Sequence, residues 1–287
     1  MNFYLSAILL GLGFASLALG IFISMRIFNI PDITTDGSFT LGGAVTSVLL
    51  IHQASIPVTL FAAFSCGAVA GAITGFIHTK LKVNALLAGI LVMTALYSVN
   101  LSIMGRSNIP LINVTTVFNS FSFMSDSSSQ QIVVLVSFSV LLWLLVAWLL
   151  KTDFGLAMRA TGNNENMIRS LGVNTDRMKI TGLALANGLT ALSGFLITQI
   201  QGFADINMGI GIVILGLGSV MIGEIILNAI GVKKITWHLL GVIGGSIVFR
   251  LILAFALSIG IDALYLKLVV AVFVLLVVSI PNFKRAS

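Results

Sequence analysis

The chain has 287 residues, of which 58% are hydrophobic and only 8% are charged. Soluble globular domains are about 25% charged, so this composition excludes a soluble fold and indicates an integral membrane protein. The net charge of +6 comes from residues scattered between apolar runs. With no clustered basic face on a soluble domain, a nucleic-acid-binding protein is excluded.

Apolar runs close to twenty residues long follow one another along the whole chain. About 20 residues of helix cross a hydrocarbon core of about 30 Å, so these runs predict transmembrane helices. The alternating strands of a membrane β-barrel are absent from the sequence. We therefore predict an all-α integral membrane protein with about 8–10 transmembrane helices in one domain, residues 1–287. The candidate spans are 3–25, 37–52, 56–78, 83–104, 131–150, 180–202, 207–228, 235–257 and 264–281.

The first span begins at the chain's start and lacks a basic leader, so we expect a retained helix rather than a signal peptide. Lysine and arginine then predict the orientation, because cytoplasmic loops carry an excess of both. With the N-terminus outside, the outer loops receive Arg106, Lys267 lies near that face, and the C-terminus is cytoplasmic. The basic residues on the inner side are Arg26, Lys80, Lys82, Lys151, Arg159, Arg169, Arg177, Lys179, Lys233, Lys234, Lys284 and Arg285.

A polar stretch, "FNIPDITTDGSFTLGG", follows the first span and holds the carboxylates Asp32 and Asp36. Pro31 removes a backbone donor and disfavours helix at the residue before it. We predict a helix break near Pro31, at or below the middle of the membrane, with both carboxylates facing protein or water. Hydroxyl and carboxylate side chains here could cap a helix that starts near Gly37. The two aspartates cap that helix at the inner interface or line a translocation path, and the two roles are not exclusive.

A second segment shares this plan. In both, an apolar helix ends at an Asp-Ile pair, Asp32-Ile33 and Asp205-Ile206, and a glycine-bearing apolar half follows. The predicted spans run in opposite directions, which indicates an inverted repeat with broken or re-entrant helices, a pattern typical of transporters. We place the first repeat at about 1–104, an outer loop at 105–130 and the second repeat at about 180–281. The candidate path residues are Asp32, Thr34, Thr35, Asp36, Ser38, Asp205 and Asn207.

An inner loop, residues 151–179, is the longest charged stretch in the chain. It predicts a short helix over 164–171, with Gly172 as its stop and Asn174 or Thr175 as the next N-cap. The side chains of Met167, Ile168 and Leu171 form an exposed apolar edge in this prediction. So short a helix is unstable alone in water, so it needs a partner surface, either this chain's own helix ends or another protein.

This loop runs "TDFGLAMRATGNNENMIRSLGVN" and continues into "KITGLALANGLTALSG". It resembles the cytoplasmic coupling loop of permease subunits of ATP-binding-cassette (ABC) importers, in the branched-chain amino acid and ribose permease family. The Asp-Gly-Ser-Phe form of the break resembles a tryptophan- or tyrosine-type subgroup. On this resemblance the residues expected to couple to an ATPase are Gly155, Arg159, Gly162, Asn164, Met167, Ile168, Arg169, Leu171 and Gly172.

The resemblance implies a permease in a bacterial cell membrane that imports a small polar solute, by resemblance an amino acid. It implies two ABC ATPase subunits below the loop and an extracytoplasmic binding protein or lipoprotein. It also implies a second permease copy, as a homodimer or with a sister permease. The alternative is an ion-coupled secondary transporter that acts alone, which would also show an inverted repeat and broken helices.

No enzymatic site is expected in this chain. It lacks the G-x-x-x-x-G-K-[ST] phosphate loop, so ATP and magnesium are expected in the partner ATPase, and no cofactor in the chain itself. No spacing of histidine, cysteine or carboxylate supports a metal site. Gly209-x-Gly211 is interpreted as close helix packing.

Two charged residues within apolar runs leave alternatives open. Arg250 either snorkels outward or pairs with Asp262, or it lines the path. Glu224 is expected at the inner interface, near Lys233 and Lys234.

Overall fold

A computed structural model describes residues 3–120, 127–232, 234–262 and 265–286. Within these ranges seven helices are long and apolar enough to cross a membrane, which confirms an all-α membrane fold. The helices are α1 Phe3–Gly13, α2 Ala15–Ile21, α3 Thr34–Ile51, α4 Ile56–Lys80, α5 Ala85–Met104, α6 Val117–Ser120, α7 Ser127–Leu149, α8 Asp153–Asn163, α9 Glu165–Ser170, α10 Thr175–Gln201, α11 Ile212–Ile230, α12 Ile235–Ser258 and α13 Leu266–Ala286.

A helix occupies each of the nine predicted spans. The first span is continuous from Phe3 to Ile27, and its last six residues, Phe22–Ile27, form a π-helical turn. The polar α3 fills the second span and α13 the ninth. The seventh differs most, because its helix starts at Ile212 and residues 207–211 form turns.

Two short strands were not expected from the sequence. β1, Asn108–Pro110, pairs antiparallel with β2, Phe203–Asp205, so that Asn108 faces Asp205. The pair joins the loop after α5 to the end of α10. It therefore ties the predicted outer loop to the second Asp-Ile segment.

The helix bundle has two ends, which we name for what lies there. The charged-loop end holds residues 151–179 and the strand end holds β1 and β2. Helix α10 connects them, since it begins at Thr175 and stops just before β2. Helix α3 starts beside Asn187, near the middle of α10, and runs to the strand end, where Ala44 packs with Ile109 and Ala204.

The predicted break after the first span is confirmed. Residues 28–33 are not helical, and Asn29 takes a left-handed backbone with φ of 54°. The next helix starts at Thr34 rather than near Gly37. The reason is Asp32, whose Oδ1 accepts the Thr34 N–H at 2.9 Å and so satisfies a free donor at an earlier position.

Glycines let several pairs of helices pack backbone against backbone, and the pair α4 and α10 shows the most regular spacing. On α4, a Cβ at Gly67, Gly71 or Gly75 would overlap the backbone of α10, at Asn187, Leu183 and Ile180. This four-residue spacing is the small-residue pattern of closely packed membrane helices.

Helices α11 and α12 meet in the same way. A Cβ at Gly223 would overlap the Gly241 carbonyl, and a Cβ at Gly245 would overlap the Ser219 carbonyl. Each pair is therefore held at a fixed close distance by the backbone itself.

The interpretation of Gly209-x-Gly211 as close helix packing is confirmed for Gly209 and wrong for Gly211. Both residues precede α11 rather than lying in it. Gly209 does make a close approach, since a Cβ there would overlap the Asp36 carbonyl of α3. Gly211 has φ of 84° and is the turn residue from which α11 starts, a conformation that glycine adopts without strain.

Candidate functional site

The segments that follow the two predicted breaks meet at the start of α11. Asp36, in the first turn of α3, accepts the backbone N–H of Gly211 on Oδ2 and that of Val213 on Oδ1, both at 2.9 Å. These are free donors at the N-terminus of α11, the helix that follows the second Asp-Ile segment. A carboxylate from the first break therefore caps the helix after the second, and it complements the positive end of the α11 dipole.

Asp32 lies at the centre of a buried polar cluster and has no solvent exposure. Its Oδ2 accepts the Asn187 Nδ2–H at 2.6 Å, and Asn187 Oδ1 in turn accepts the Ser38 hydroxyl at 2.7 Å. A second Asn187 hydrogen goes to the Leu183 carbonyl at 3.0 Å. The cluster joins the break to the middle of α10, and the amide of Asn187 holds the carboxylate away from lipid.

Neighbouring hydroxyls complete the cluster rather than cap a helix at Gly37. Thr34 Oγ1 lies 2.7 Å from Thr74 Oγ1 on α4, and Thr35 Oγ1 donates to the Asp32 carbonyl at 3.1 Å. Thr34, Thr35 and Ser38 are all fully buried. The expectation that they cap a helix near Gly37 was wrong, because the helix already runs past them.

The second Asp-Ile segment repeats the local geometry of the first. Asp205 Oδ1 accepts the Asn207 N–H at 2.8 Å, two residues on, as Asp32 does with Thr34. Asp205 is half-buried and its Oδ2 accepts the Asn108 side chain at 3.3 Å, while Asn207 is exposed. Asp205 and Asn207 therefore lie at the strand end, apart from the buried cluster around Asp32.

The charged loop packs directly on the first break. A Cβ at Gly162, near the end of α8, would overlap the Ile27 carbonyl, and Asn29 Nδ2–H donates to the Gly162 carbonyl at 3.2 Å. The Phe28 ring occupies the space that a side chain at Gly182 of α10 would need. Because α8 contacts the break directly, a displacement of α8 would also displace the break.

The short helix of the loop is present as α9, one residue shorter at each end than predicted. Asn164 is its N-cap, its Oδ1 accepting the Met167 N–H at 3.1 Å. Gly172 follows with φ of 86°, and Asn174 caps α10 through the Arg177 N–H. The predicted stop and the Asn174 alternative for the next cap are confirmed.

One of the three apolar residues assigned to an exposed edge does not lie there. Met167 and Leu171 are 58% and 68% exposed, but Ile168 is only 8% exposed. Ile168 points toward the chain itself because α9 uses one face to pack on α8 and α10. The exposed apolar edge is therefore Met167 and Leu171, without Ile168.

Charged side chains fasten α9 to α10. Glu165 pairs with Lys179 at 2.5 Å and with Arg169 at 2.8 Å, and Arg169 also donates to the Thr175 hydroxyl at 3.0 Å. The hydrogen bond from Lys179 is the largest cause that lowers the pKa of Glu165 below its usual range. The Arg169 side chain is 60% exposed despite these contacts.

The remaining loop residues have local structural contacts. A Cβ at Gly155 would overlap the backbone at Leu149 and Leu150. Arg159 lines a cavity of about 290 Å³ together with Arg26 and Glu224.

Among the described residues the ion-pair partner of Glu224 is an arginine rather than Lys234. Glu224 forms an ion pair with Arg26 of the π-helical turn, with 2.5 Å between Arg26 Nε and Glu224 Oε1. Lys234 is exposed and Lys233 lies outside the described residues. The contact joins the end of the first span to the second half of α11, whereas Asp36 contacts the N-terminus of that helix.

Asn187, Thr74 and Arg26 were not predicted as site residues from the sequence, which placed Arg26 only among the inner basic residues. Asn187 stands in the quoted run "LALANGLTALSG". Its amide side chain within a largely apolar helix is the sequence feature that could have indicated a role in the site. Among the described residues no group of three or more histidine, cysteine, aspartate or glutamate side chains could hold a metal ion.

Known proteins resemble this chain over most of its length. The family described as branched-chain amino acid transport system, permease component, matches residues 3–279. The "Tyrosine transport system permease protein" of Clostridioides difficile (strain R20291) is 39% identical over 266 residues, which cover 93% of this chain and 87% of the relative.

More distant relatives include two further import permeases. The "Ribose import permease protein RbsC" of Escherichia coli (strain K12) is 27% identical, over 88% of this chain and 78% of its own. The "Autoinducer 2 import system permease protein LsrC" of Salmonella choleraesuis (strain SC-B67) is 29% identical, over 73% of this chain and 59% of its own. No solved structure matches the chain significantly. The match to the family confirms the resemblance seen in the sequence, and the chain belongs to the family of permease components of branched-chain amino acid transport systems.

Proposed function

We propose that this chain forms the membrane pathway of an ABC importer that moves an aromatic or branched-chain amino acid into a bacterial cell. A separate ATPase subunit supplies the energy, with ATP and magnesium bound there, and a binding protein or lipoprotein delivers the solute. Two copies of the chain, or this chain and a sister permease, enclose the pathway. The charged-loop end then faces the cytoplasm, in line with the excess of lysine and arginine at that end.

One observation carries the assignment of the docking surface. Helix α9 exposes two large apolar side chains, Met167 and Leu171, at the bundle end richest in charge. Its other face, with Ile168 and the Glu165 contacts, is held by this chain. An exposed apolar edge on a fixed charged helix suits a protein partner rather than lipid.

The contacts of the loop suggest how docking reaches the pathway. Force on α9 passes to α8, and Gly162 of α8 presses on Ile27 at the start of the break. The break leads to Asp32 and then to Asp36, which holds the N-terminus of α11. Opening of the ATPase dimer would thus shift both broken helices together.

The substrate class rests on similarity and on the character of the two segments. One relative is named a tyrosine transport permease. The candidate path residues are small and polar, which suits a small polar solute. They are Asp32, Thr34, Thr35, Asp36, Ser38, Asp205 and Asn207. Ribose and autoinducer 2 appear in the names of more distant relatives, so the choice of amino acid needs a direct test.

The function is tested by reconstituting the chain in proteoliposomes with and without its ATPase and binding protein. We expect ATP-dependent uptake of labelled L-tyrosine or L-leucine by the complete complex only. The chain alone should show no uptake under a proton or sodium gradient. Gradient-driven uptake by the lone chain would instead establish the secondary transporter, and ATP-driven uptake of ribose but of neither amino acid would refute the substrate class.

The docking surface is tested by adding a charge to its apolar edge. Met167→Asp and Leu171→Asp should each weaken recovery of the ATPase with the permease and lower transport-stimulated hydrolysis, while the chain remains folded. Ile112→Asp is the matched control, since Ile112 is 72% exposed and lies in the loop between α5 and α7. Ile168→Asp is a different case, because it buries a charge and should unfold the loop. Normal ATPase recovery by both edge variants would remove α9 from its proposed role.

A further inference from the structure

A cavity of about 320 Å³ lies at the strand end of the bundle, apart from the buried cluster around Asp32. Its wall combines aromatic rings, a carboxylate and a guanidinium. The residues that matter here are Phe14, Phe39, Phe203, Asp205, Asn207 and Arg250. A cavity of this size that places a few polar groups on an apolar wall has the usual make-up of a small-molecule site.

The guanidinium of Arg250 has no anionic partner among the residues that the structure describes. Its Nε is buried and makes no hydrogen bond, and no ion pair of Arg250 occurs there, so the pairing with Asp262 considered from the sequence is not formed. A cation held within an apolar bundle is costly unless it is paired or lines a functional cavity. Arg250 therefore lines a cavity rather than pairing with Asp262, and its place on a translocation path stays a prediction.

Aromatic packing fixes the position of this guanidinium. Its central carbon lies 4.0 Å from the centre of the Phe14 ring, and the Phe14 ring stacks on Phe39 with centroids 5.7 Å apart and planes 11° apart. A guanidinium held on a ring face keeps its planar edge for a second partner, because the cation–π contact uses only the face. The partner that matches such an edge with two parallel hydrogen bonds is a carboxylate.

The rest of the wall suits the other parts of an amino acid. Asp205 is half-buried, and its carboxylate adds a negative charge to the cavity that holds Arg250. The Phe203 ring is 39% exposed and lies on the same wall. The cavity thus offers one group for each part of an aromatic amino acid zwitterion, namely a cation, an anion and an aromatic surface.

We propose that this cavity is a transit site for an aromatic α-amino acid, with the substrate carboxylate bound by Arg250. The ammonium group faces Asp205 and the aromatic ring packs on the phenylalanine wall. This inference rests on the proposed function and adds to it the residues that recognise the solute within the permease itself. Arg250 acts here as a specificity-determining residue rather than as a structural one.

Direct binding tests the site without the ATPase or the binding protein. Labelled L-tyrosine is titrated onto the full chain in nanodiscs. Two competitors are used: tyramine, which lacks the carboxylate, and 3-(4-hydroxyphenyl)propionate, which lacks the amine. We expect Arg250→Gln to weaken tyrosine binding by about 10- to 100-fold, the range for loss of a charged hydrogen bond. Tyramine should compete poorly with labelled tyrosine for binding to either the wild-type chain or the Arg250→Gln chain. Arg106→Gln is the matched control, since Arg106 is exposed and outside the cavity.

Several outcomes would overturn the site. They are no saturable tyrosine binding by the wild-type chain, equal competition by tyramine and tyrosine, and unchanged affinity in a folded Arg250→Gln protein. Should Arg250→Gln fail to fold, Asp205→Asn must weaken tyrosine binding while leaving 3-(4-hydroxyphenyl)propionate binding unchanged, and failure to do so also overturns the site.

Transport separates this inference from the function on which it rests. If the wild-type complex imports tyrosine and Arg250→Gln imports it at the wild-type rate, the transit site is refuted and the importer stands. If no amino acid is imported by the wild-type complex, the importer of amino acids is refuted. The nanodisc titration then still decides whether the cavity binds an aromatic zwitterion.

Discussion

The contact between Asp36 and the start of α11 predicts a local and measurable loss when the carboxylate is removed. Asp36→Ala takes away the acceptor of two backbone N–H groups, those of Gly211 and Val213. A hydrogen bond to a charged group contributes about 1.5–3 kcal/mol, and losing an N-cap costs about 0.5–2 kcal/mol. Gly211 is exposed, so water can replace one of the two acceptors. We therefore expect a local loss of about 2–3 kcal/mol at the N-terminus of α11.

Hydrogen exchange of the purified chain measures this loss where it occurs. At about 1.4 kcal/mol per tenfold, the amides of Gly211 and Val213 should exchange about 30- to 140-fold faster in Asp36→Ala. Asp36→Asn keeps one acceptor and should show a smaller change. The control is Asp153→Asn, which removes an exposed carboxylate from the first turn of α8 and should leave α11 unchanged. Unaltered exchange at 211–213 in Asp36→Ala would refute the cross-capping described here, whatever happened to transport.

Three further predictions concern other contacts. Gly71→Ala should destabilise the chain by about 1–3 kcal/mol in equilibrium unfolding, because the added Cβ overlaps the backbone of α10. Gly244→Ala is the control, since open space surrounds that position, and it should be neutral or stabilising. Equal effects of the two substitutions would contradict the close packing of α4 on α10. Asn187→Leu should cost about 2–3 kcal/mol, because it leaves a buried carboxylate short of a donor, and an unchanged unfolding midpoint would argue against the cluster. The hydrogen bond from Lys179 lowers the pKa of Glu165, so the stability that Glu165 gives the loop is present above its unfolded pKa of about 4.3 and is lost as pH falls through its folded pKa. The rate of proteolysis of the loop, measured between pH 3 and 7, should show this loss. Glu165→Gln should remove that part of the pH dependence.

Local pattern was enough to predict most of the fold. Spans follow from the length of apolar runs, the break from Pro31 and its polar neighbours, and the loop turns from Gly172 and Asn174, whose capping role depends on residues close in sequence. These features are set within about four residues of chain, so a single sequence contains the information needed.

The partners across the bundle could not be predicted in the same way. Asp36 contacts Gly211 and Val213, which lie 175 and 177 positions further along the chain, and Asn187 lies 155 positions from Asp32. Periodicity states which residues are polar or apolar but not which distant helix they meet. The same limit explains the error at Ile168, since a six-residue helix has too few apolar positions to show which face this chain covers and which it exposes.

The glycine contacts join several helices of the bundle backbone to backbone. Helices α4 and α10 touch through backbone at three successive glycines, and α11 and α12 touch in the same manner, so within each pair sliding would force backbone atoms into one another. The first span joins the two pairs through backbone as well, since a Cβ at Gly20 would overlap the Ala186 carbonyl of α10 and a Cβ at Gly11 would overlap the Ile247 backbone of α12. Sliding of these helices along their neighbours is thus blocked by backbone, so a motion that opens one end of the bundle and closes the other must tilt them without sliding or move them together.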